Sequence, residues 1–493
     1  MPVRAAISDD CVIAMKRVVG DLRVRAATDE DAIDGVQPHC VVEPGTPAEL
    51  AQVLSLANGA GLCVIPRGSG TKLDWGNPPK GADIVLSTRR LDRILEHASG
   101  DMTATVQAGC TVAAFNHALA ERGQRLALDP LWPGRATIGG IIATDDSGPL
   151  RAAFGTLRDH LIGITVALAD GTIAKSGGKV VKNVAGYDLP KLFTGSFGTL
   201  GVITEATFRL YPLARSSAAL RFAAPDFDHL GRVLSALAGC SLVTAAVQIE
   251  IAAGGSPGIL VLVEGLPDAI EGKVRRVVGA VVACGARQVD VPGEAWTARE
   301  RLFADPQSCV AKVSVLPTQW PHVLAQVCDV ATQSGVRWEI IAQAVGVGLL
   351  RLETSPGGAI PARAEVTAGP RISPSPGTPG EGRGVGLFPV QMKSPHPNPL
   401  PAYRERDPEA ESAEPATKPQ SSHTSPTVDV LHSLRAHLEK MGGSLVLLRC
   451  AANVKARIDV WPDVGNALPL MRRIKDQFDP KCVLSPGRFV GGI

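Results

Sequence analysis

The hydrophobic pattern at the start of the chain predicts short strands alternating with a helix. Thr46-Pro47-Ala48-Glu49 has the form of a capping box with proline at the first helical position. Apolar residues then recur at helical spacing before a glycine stop: Leu50, Val53, Leu54, Ala57, then Gly59 and Gly61. Apolar runs without that spacing predict buried strands at residues 39–42, 62–65 and 84–87.

The alternation of strands and helices continues through the middle of the chain. The pattern predicts a strand at 103–107, a helix from Val112 to Leu119, a hairpin around Asp170-Gly171 and a strand at 202–210. From about Ser216 the predicted helices and strands become longer. Helices are predicted near 227–237, 268–282 and 320–333, and strands near 243–251, 258–264, 312–316, 338–343 and 346–352. This second half predicts a separate α+β domain.

Residues 356–427 interrupt the pattern with a composition rich in Pro, Gly, Ser and Glu. Such a composition cannot bury enough apolar surface to order itself. Helical spacing resumes at Leu431, Leu434 and Leu438, and residues 444–448 predict a strand. We interpret 356–427 as a disordered insertion in a loop of the second domain. The alternative is a proline-rich ligand for a partner protein.

Charge and cysteine content narrow the functional class of this 493-residue chain. The net charge is +2 and no basic stripe is interleaved with aromatic residues, so nothing indicates nucleic-acid binding. The N-terminus does not have the form of a signal peptide, and no window reaches the roughly 18 apolar residues of a membrane span. We expect a cytoplasmic protein, with attachment to the inner membrane through partners as the alternative. The ten cysteines include no C-x-x-C, which argues against a self-contained iron–sulfur or zinc-ribbon site.

A glycine loop, Pro66-Arg67-Gly68-Ser69-Gly70-Thr71-Lys72, follows the predicted strand at 62–65. It cannot be a dinucleotide fingerprint, because it leads into Asp74-Trp75-Gly76-Asn77-Pro78 and not into a helix. It also lacks the spacing of a Walker loop. What remains is a nest of backbone N–H groups able to hold an anion, or a plain turn.

Two further segments carry glycines at unusual density. The first spans 131–148 and includes Gly134, Gly139, Gly140 and Gly148. The second spans 175–211 and includes six glycines before a β-patterned run. Glycines weaken an ordinary strand but let backbone come close to a flat, polar molecule such as a cofactor. The alternative for any single glycine is a tight turn.

These three segments, in this order, resemble the FAD-binding domain of the vanillyl-alcohol oxidase/p-cresol methylhydroxylase (PCMH) superfamily. The closing Leu484-Ser485-Pro486-Gly487-Arg488 is similar to the "NPGR" of that family, with serine in place of asparagine. The motifs KNVAGYDL (182–189) and GSFGTLG (195–201) are most similar to the E-subunit family of bacterial glycolate oxidases. That resemblance implies a small 2-hydroxy acid as substrate, and a larger related FAD subunit and an iron–sulfur subunit as partners.

The resemblance also implies a fold and a domain order. We expect an α+β chain, in which a PCMH-type FAD-binding domain of two α+β subdomains is followed by a ferredoxin-like cap. The expected boundaries are 1–36 for an N-terminal helix and linker, 37–214 for the FAD-binding domain, 215–355 for the cap, 356–427 for the insertion, and 428–493 for the rest of the cap and a segment returning to the FAD-binding domain.

The resemblance assigns the FAD to the glycine segments. The implied cofactor-binding residues are Pro66, Arg67, Gly68, Ser69, Gly70, Thr71, Lys72, Pro133, Gly134, Ala136, Thr137, Gly139, Gly140, Ala143, Ser147, Gly148, Asn183, Gly201, Val202 and Ile203. Family members that bind flavin covalently often carry histidine in the first loop. Here the loop is RGSGTK, so we predict non-covalent FAD.

Oxidation of a 2-hydroxy acid requires a cation for the carboxylate and a base for the hydroxyl. The candidates are Lys182, Tyr187 and Arg488, with Arg135 and Arg151 as further cations; for each, a structural role is the alternative. The histidine-rich metal motif of many related dehydrogenases is absent, and the four cap histidines (His229, His322, His432 and His437) are interpreted as isolated surface residues, so no metal is predicted. The chain is thus expected to be an FAD subunit of a glycolate dehydrogenase complex. The alternatives are a self-sufficient oxidase of D-lactate or another alcohol, and a non-catalytic FAD-binding scaffold.

Overall fold

The computed structural model describes residues 7–178, 187–239, 244–354 and 425–493. The helices are α1 (Asp9–Val19), α2 (Pro47–Ala60), α3 (Val112–Ala120), α4 (Ile138–Thr144), α5 (Arg151–Phe154), α6 (Leu157–His160), α7 (Leu189–Phe193), α8 (Phe227–Gly239), α9 (Pro267–Ala283), α10 (Ala298–Arg301), α11 (Trp320–Gln333), α12 (Pro426–Lys440), α13 (Ala452–Lys455) and α14 (Leu468–Phe478).

The strands form three main sheets and one short pair. They are β1 (Val24–Ala26), β2 (Cys40–Val42), β3 (Val64–Arg67), β4 (Ile84–Ser87), β5 (Ile94–Ala98), β6 (Thr103–Gln107), β7 (Gln124–Arg125), β8 (Leu161–Ala167), β9 (Ile173–Gly177), β10 (Val202–Arg209), β11 (Tyr211–Pro212), β12 (Ser216–Ala223), β13 (Ala246–Ala252), β14 (Gly258–Gly265), β15 (Arg287–Val289), β16 (Cys309–Ser314), β17 (Val336–Gln343), β18 (Val347–Thr354) and β19 (Ser444–Arg449).

The first sheet has the order β1-β2-β4-β3, with β2, β4 and β3 parallel. Helix α2 provides the crossover from β2 to β3, and the Thr46 hydroxyl accepts a hydrogen bond from the Glu49 amide, as predicted. The return half of the capping box differs, because the Glu49 carboxylate accepts from the Gly45 amide at 2.7 Å. Strand β3 extends to Arg67, so the glycine loop begins two residues later than predicted, at Gly68.

The second sheet is antiparallel, with the order β5-β6-β10-β8-β9. The predicted hairpin around Asp170-Gly171 is confirmed, with Ala167 opposite Ile173. Strand β10 lies at the centre and begins directly after Gly201. This sheet and α3, α4 and α7 bury a common core, so the start of β10 and the start of α4 lie near each other.

The cap is a single eight-stranded sheet with the order β15-β12-β14-β13-β17-β18-β16-β19. Two β-α-β-β-α-β units make it: β12 to β15 with α8 and α9, and β16 to β19 with α11 and α12. Each unit has the 4-1-3-2 order of strands that defines a ferredoxin-like fold, so that prediction is confirmed. Strand β12 was not predicted, because its Ser and Ala positions give weak hydrophobic contrast.

The two cap units differ in one connection. In the first unit, β14 ends at Gly265 and α9 begins at Pro267. In the second, β18 ends at Thr354 and α12 begins at Pro426. The predicted insertion falls in this connection; Pro426 and Thr427 belong instead to the first turn of α12, and 356–424 lie outside the described residues.

The C-terminal segment returns to the first sheet. The Val64 amide donates to Val483 O at 2.8 Å, and the Ser485 amide donates to Val64 O at 2.9 Å. This attachment brings Arg488 next to the residues that follow the glycine loop.

Candidate functional site

Three stretches that are far apart in sequence surround one cavity of about 740 Å³, a volume that includes its open mouth. The stretches are the end of β3 with the glycine loop, α4 with its N-cap, and the start of β10. The predicted cofactor-binding residues that line this cavity are Pro66, Arg67, Gly68, Ser69, Gly70, Thr71, Lys72, Thr137, Gly139, Gly140, Ala143, Gly201, Val202 and Ile203.

The glycine loop presents unpaired backbone donors to this cavity. Gly68, Ser69, Gly70 and Thr71 donate no backbone N–H hydrogen bond to any residue that the structure describes. Gly70 has a positive φ of 76°, which an L side chain rarely adopts. Successive free N–H groups in such a turn form an anion-binding nest, which is the chemistry that a pyrophosphate requires.

The loop also packs against the start of α4. A Cβ added to Gly68 would lie 2.1 Å from Thr137 Oγ1, so only glycine fits there. Thr137 is the N-cap of α4, and its hydroxyl accepts a hydrogen bond from the Gly140 amide at 3.3 Å. The loop and the helix are therefore fixed relative to each other.

The cationic side chains at the two ends of the loop are engaged within the protein. Arg67 Nη1 lies 2.7 Å from Asp31 Oδ1. The pKa of Asp31 is well below its usual range, because its carboxylate accepts hydrogen bonds from Arg25, Thr28 and Arg67. Lys72 Nζ is buried 3.0 Å from Asp146 Oδ2 and lies near the rings of two tryptophans. An anion in the cavity would therefore be held mainly by backbone amides.

Some predicted residues of the second segment lie away from this cavity. Pro133 is half-buried, Gly134 is exposed and Ala136 is in the core. Gly148 allows a close approach to other protein groups, since an added Cβ would lie 2.3 Å from Asp129 O. Ser147 lines a second, adjacent cavity.

Sequence reasoning missed several residues of the first cavity: Leu73, Thr88, Thr144, Phe197 and Gly198. Thr88 has no sequence signal, because it reaches the site only through the packing of β4 beside β3. Phe197 and Gly198 lie in the GSFGTLG motif of the 175–211 segment, which the sequence assigns to the cofactor as a whole without naming these two residues.

The predicted catalytic residues do not form one cluster. Lys182 and the cofactor candidate Asn183 lie outside the described residues. Tyr187 is 91 % exposed and does not line either cavity, so its predicted contact with substrate or ring has no support here. Arg135 is exposed as well.

Arg488 lines the first cavity, but its guanidinium group is used inside the protein. Its Nη2 donates to Leu73 O and to Trp75 O, each at 2.5 Å. Burial lowers the pKa of Arg488 to about 10, against the opposing charges of Asp34 and Asp74. Arg488 thus clamps the chain that follows the glycine loop, in line with the structural alternative.

The interpretation of the four cap histidines as isolated is wrong for two of them. His322 on α11 and His437 on α12 have their Nε2 atoms 3.2 Å apart at the surface. The helices pack side by side, which the sequence could not reveal. No group of three or more potential metal-ligating side chains occurs among the residues that the structure describes.

The second cavity lies between the end of α4 and the cap sheet. Its volume is about 900 Å³ with its opening. It shares Thr144 and Phe197 with the first cavity, so the two cavities are adjacent. Its charged lining residues are Asp145, Asp146, Arg299 and Lys312.

Comparison with known proteins identifies the domain around the first cavity. Residues 38–177 match a family model described as an FAD binding domain. The glycolate oxidase subunit GlcD of Bacillus subtilis is 35 % identical over 212 residues, which are 43 % of this chain and 45 % of that protein. The D-lactate dehydrogenase of Archaeoglobus fulgidus is 38 % identical over 195 residues, which are 38 % of this chain and 42 % of that protein. The matches thus cover less than half of these relatives.

Solved structures extend the similarity to the whole fold. Substrate-bound p-cresol methylhydroxylase superimposes with a TM-score of 0.67 at 14 % identity, covering 97 % of this chain and 96 % of that one. An alkyldihydroxyacetonephosphate synthase superimposes with a TM-score of 0.66 at 15 % identity, covering 99 % and 88 %. The chain therefore has the PCMH-type fold, and its cofactor is FAD. None of the described helices combines the length and apolar character needed to cross a membrane.

Proposed function

We propose that this chain is the FAD-binding subunit of a dehydrogenase that oxidises a small 2-hydroxy acid, such as glycolate, to the 2-oxo acid. In this proposal a larger related FAD subunit and an iron–sulfur subunit complete the complex and accept the electrons. Similar proteins named for glycolate, D-lactate and D-2-hydroxyglutarate support the substrate class. The name of the Bacillus subtilis relative, an oxidase subunit, supports assembly into a complex.

The observation that carries the proposal is the first cavity, because three separate glycine segments meet there around free backbone donors. The amides of residues 68–71 would hold the pyrophosphate. Gly139, Gly140 and the start of β10 would lie along the rest of the cofactor. FAD, when bound, supplies a two-electron acceptor for the hydroxy acid. The glycine loop contains no histidine, which supports non-covalent binding.

A self-sufficient dehydrogenase is the second candidate. The second cavity favours it, because this chain alone provides a polar chamber that adjoins the first cavity. A subunit that served only as a scaffold would have no need of such a chamber.

The test begins with the purified chain and FAD. We expect flavin absorption bands in stoichiometric amount, and yellow colour released into solution when the protein is denatured with acid. Colour that stays on the denatured chain would contradict non-covalent binding, and no uptake of flavin after reconstitution would contradict the proposal as a whole.

Activity with a dye acceptor then separates the two candidates. Turnover of glycolate or D-lactate only after addition of the partner subunits supports the complex. Turnover by the isolated chain supports the self-sufficient enzyme.

A further inference from the structure

The second cavity has two walls of different origin. One wall is the chain from Thr144 to Ser147, at the end of α4. The other is the face of the cap sheet that is formed by β16, β17, β18 and β19. Because Thr144 and Phe197 belong to both cavities, a molecule in the second would lie beside the first.

Lys312 is a cation of this cavity whose ammonium group makes no close hydrogen bond or ion pair with the described residues. It lies in the middle of β16, where its cross-strand neighbours are the apolar Leu349 and Val446. It is half-buried and forms no ion pair or hydrogen bond with any described residue. The other lining cation, Arg299, is engaged, because its Nη2 donates to Asp129 O at 2.6 Å. A positive charge on an apolar sheet face is costly unless an anion accompanies it.

Asp145 is the corresponding anionic group. It caps α4 with a positive φ of 48°, and its buried Oδ1 accepts no hydrogen bond from the described residues. Burial raises the pKa of Asp145, and Lys312 is the charge that opposes this rise most. The adjacent Asp146 differs, since its carboxylate lies against Lys72 and accepts a hydrogen bond from the Leu131 amide.

Two neutral atoms in the same cavity have no hydrogen-bond partner among the residues that the structure describes. They are the buried Ser147 Oγ and Gln343 Oε1, and both residues are less than a tenth exposed. The amide group of Gln343 is held in place, because its Nε2 donates to Ser147 O at 3.3 Å. Buried polar atoms are nearly always paired in folded proteins, so this concentration marks the place of a polar ligand.

We propose that the second cavity binds the hydroxy acid itself, with Lys312 binding the carboxylate and Asp145 accepting a hydrogen bond from the 2-hydroxyl. The choice of a hydroxy acid rests on the proposed function. The cavity by itself requires a small ligand with an anionic group for Lys312 and a hydrogen-bond donor for Asp145.

The charges also set the specificity of this site. Lys312 is the one lining cation left unpaired in the described part of the cavity, whereas two carboxylates, those of Asp145 and Asp146, face or adjoin it. A second carboxylate on the ligand would meet apolar walls or these anions. We therefore expect monocarboxylic acids to bind better than dicarboxylic acids of the 2-hydroxyglutarate kind.

The test uses two probes that cannot be oxidised at Cα. The first, 2-hydroxyisobutyrate, has the carboxylate and the hydroxyl but no Cα–H, and the second, isobutyrate, lacks the hydroxyl. Each is titrated calorimetrically into the FAD-loaded chain. Because hydrogen bonds to charged groups contribute on the order of 1.5–3 kcal/mol, we expect the hydroxylated probe to bind at least about tenfold more tightly.

Variants assign the two roles. Lys312→Met should weaken both probes by about tenfold or more, while Lys312→Arg should retain most of the affinity. Asp145→Asn, which tolerates the same backbone conformation, should reduce the preference for the hydroxylated probe and leave isobutyrate binding nearly unchanged. Lys440→Met, at an exposed position on α12, is the matched control and should bind as the wild type does.

The outcome is separable from that of the proposed function. Flavin content and far-UV circular dichroism are measured for each variant, so that a folding defect is recognised. If Lys312→Met fails to fold, Lys312→Arg still tests whether a positive charge at this position binds the probes. Unchanged affinity in Lys312→Met, or no binding of 2-hydroxyisobutyrate to the wild-type chain, would overturn the inference. A chain that bound FAD and showed the Lys312 dependence of probe binding, but turned over no hydroxy acid with or without partner subunits, would contradict the proposed function and leave this inference standing.

Discussion

At the scale of single residues, the cofactor site depends on backbone amides that do not bind other groups in the described part of the protein. Gly68 brings its backbone against Thr137, and the charged neighbours Arg67 and Lys72 are neutralised by Asp31 and Asp146. The pyrophosphate site is therefore built from backbone amides, whose number and direction do not depend on flexible side chains. This arrangement makes the loop sensitive to any atom added to Gly68.

We expect Gly68→Ala to lower FAD affinity by about tenfold, because a Cβ 2.1 Å from Thr137 Oγ1 must displace the loop or the cap of α4. The measurement is flavin bound per chain as FAD is titrated. Gly134→Ala is the control, since a Cβ at Gly134 meets open space. Equal affinity in the two variants would show that the loop is not the pyrophosphate site.

At the scale of elements, helix α14 joins the C-terminal segment to the FAD-binding domain through one buried lysine. Lys475 Nζ donates to Thr199 O, to Leu484 O and to Asp479 Oδ2. Asp479 also accepts from the amides of Val483 and Leu484. This network fixes the segment that carries Arg488 beside the first cavity.

Lys475→Met should lower the free energy of unfolding by about 3 kcal/mol, because it leaves the carboxylate of Asp479 buried without its cation. Urea unfolding followed by circular dichroism gives the value. Lys481→Met, an exposed lysine on the same segment, should change it by less than about 0.5 kcal/mol. A loss in Lys475→Met no larger than in the control would mean that the network does not stabilise the fold.

At the scale of the whole molecule, the two ferredoxin-like units show what the cap requires. The first unit joins its third strand to its second helix through Leu266 alone, between β14 and α9. The second makes the same connection, between β18 and α12, with residues 355–425. The repeated topology therefore needs no long segment at this point, which supports the prediction of an insertion.

Replacing residues 356–424 with a short Gly-Ser linker should leave FAD content and the melting temperature unchanged, because the first unit folds with a one-residue connection. Flavin absorption and thermal unfolding monitored by circular dichroism check this. Loss of either would show that the segment contributes to the fold or to the cofactor site. If FAD content and melting temperature are unchanged but turnover in the presence of the partner subunits is lost, the segment is better interpreted as a ligand for a partner protein.

Much of the site could be predicted because backbone chemistry leaves a clear signal in the sequence. The glycines of the 66–72 loop and of the 131–148 segment are visible without any structure, and Gly68, Gly70, Gly139 and Gly140 among them line one cavity. Tyr187 illustrates the opposite case, since an aromatic residue beside a glycine-rich motif looks functional in sequence and is exposed in the structure. Lys312 and Asp145 belong to no sequence motif, so the role proposed for them follows only from their positions in the second cavity.

The sequence by itself determined the glycine segments and many of the helices and strands, although not β12, because helical spacing, strand runs and turn glycines are local properties of the chain. Only the tertiary structure decided which charges are satisfied. Arg488 and Lys72 are bound within the protein, whereas in the described part of the chain Lys312 forms no close ion pair or hydrogen bond and Asp145 Oδ1 accepts no hydrogen bond. The physical reason is that a charge is neutralised by groups that are close in space, and these come from residues that are distant in sequence.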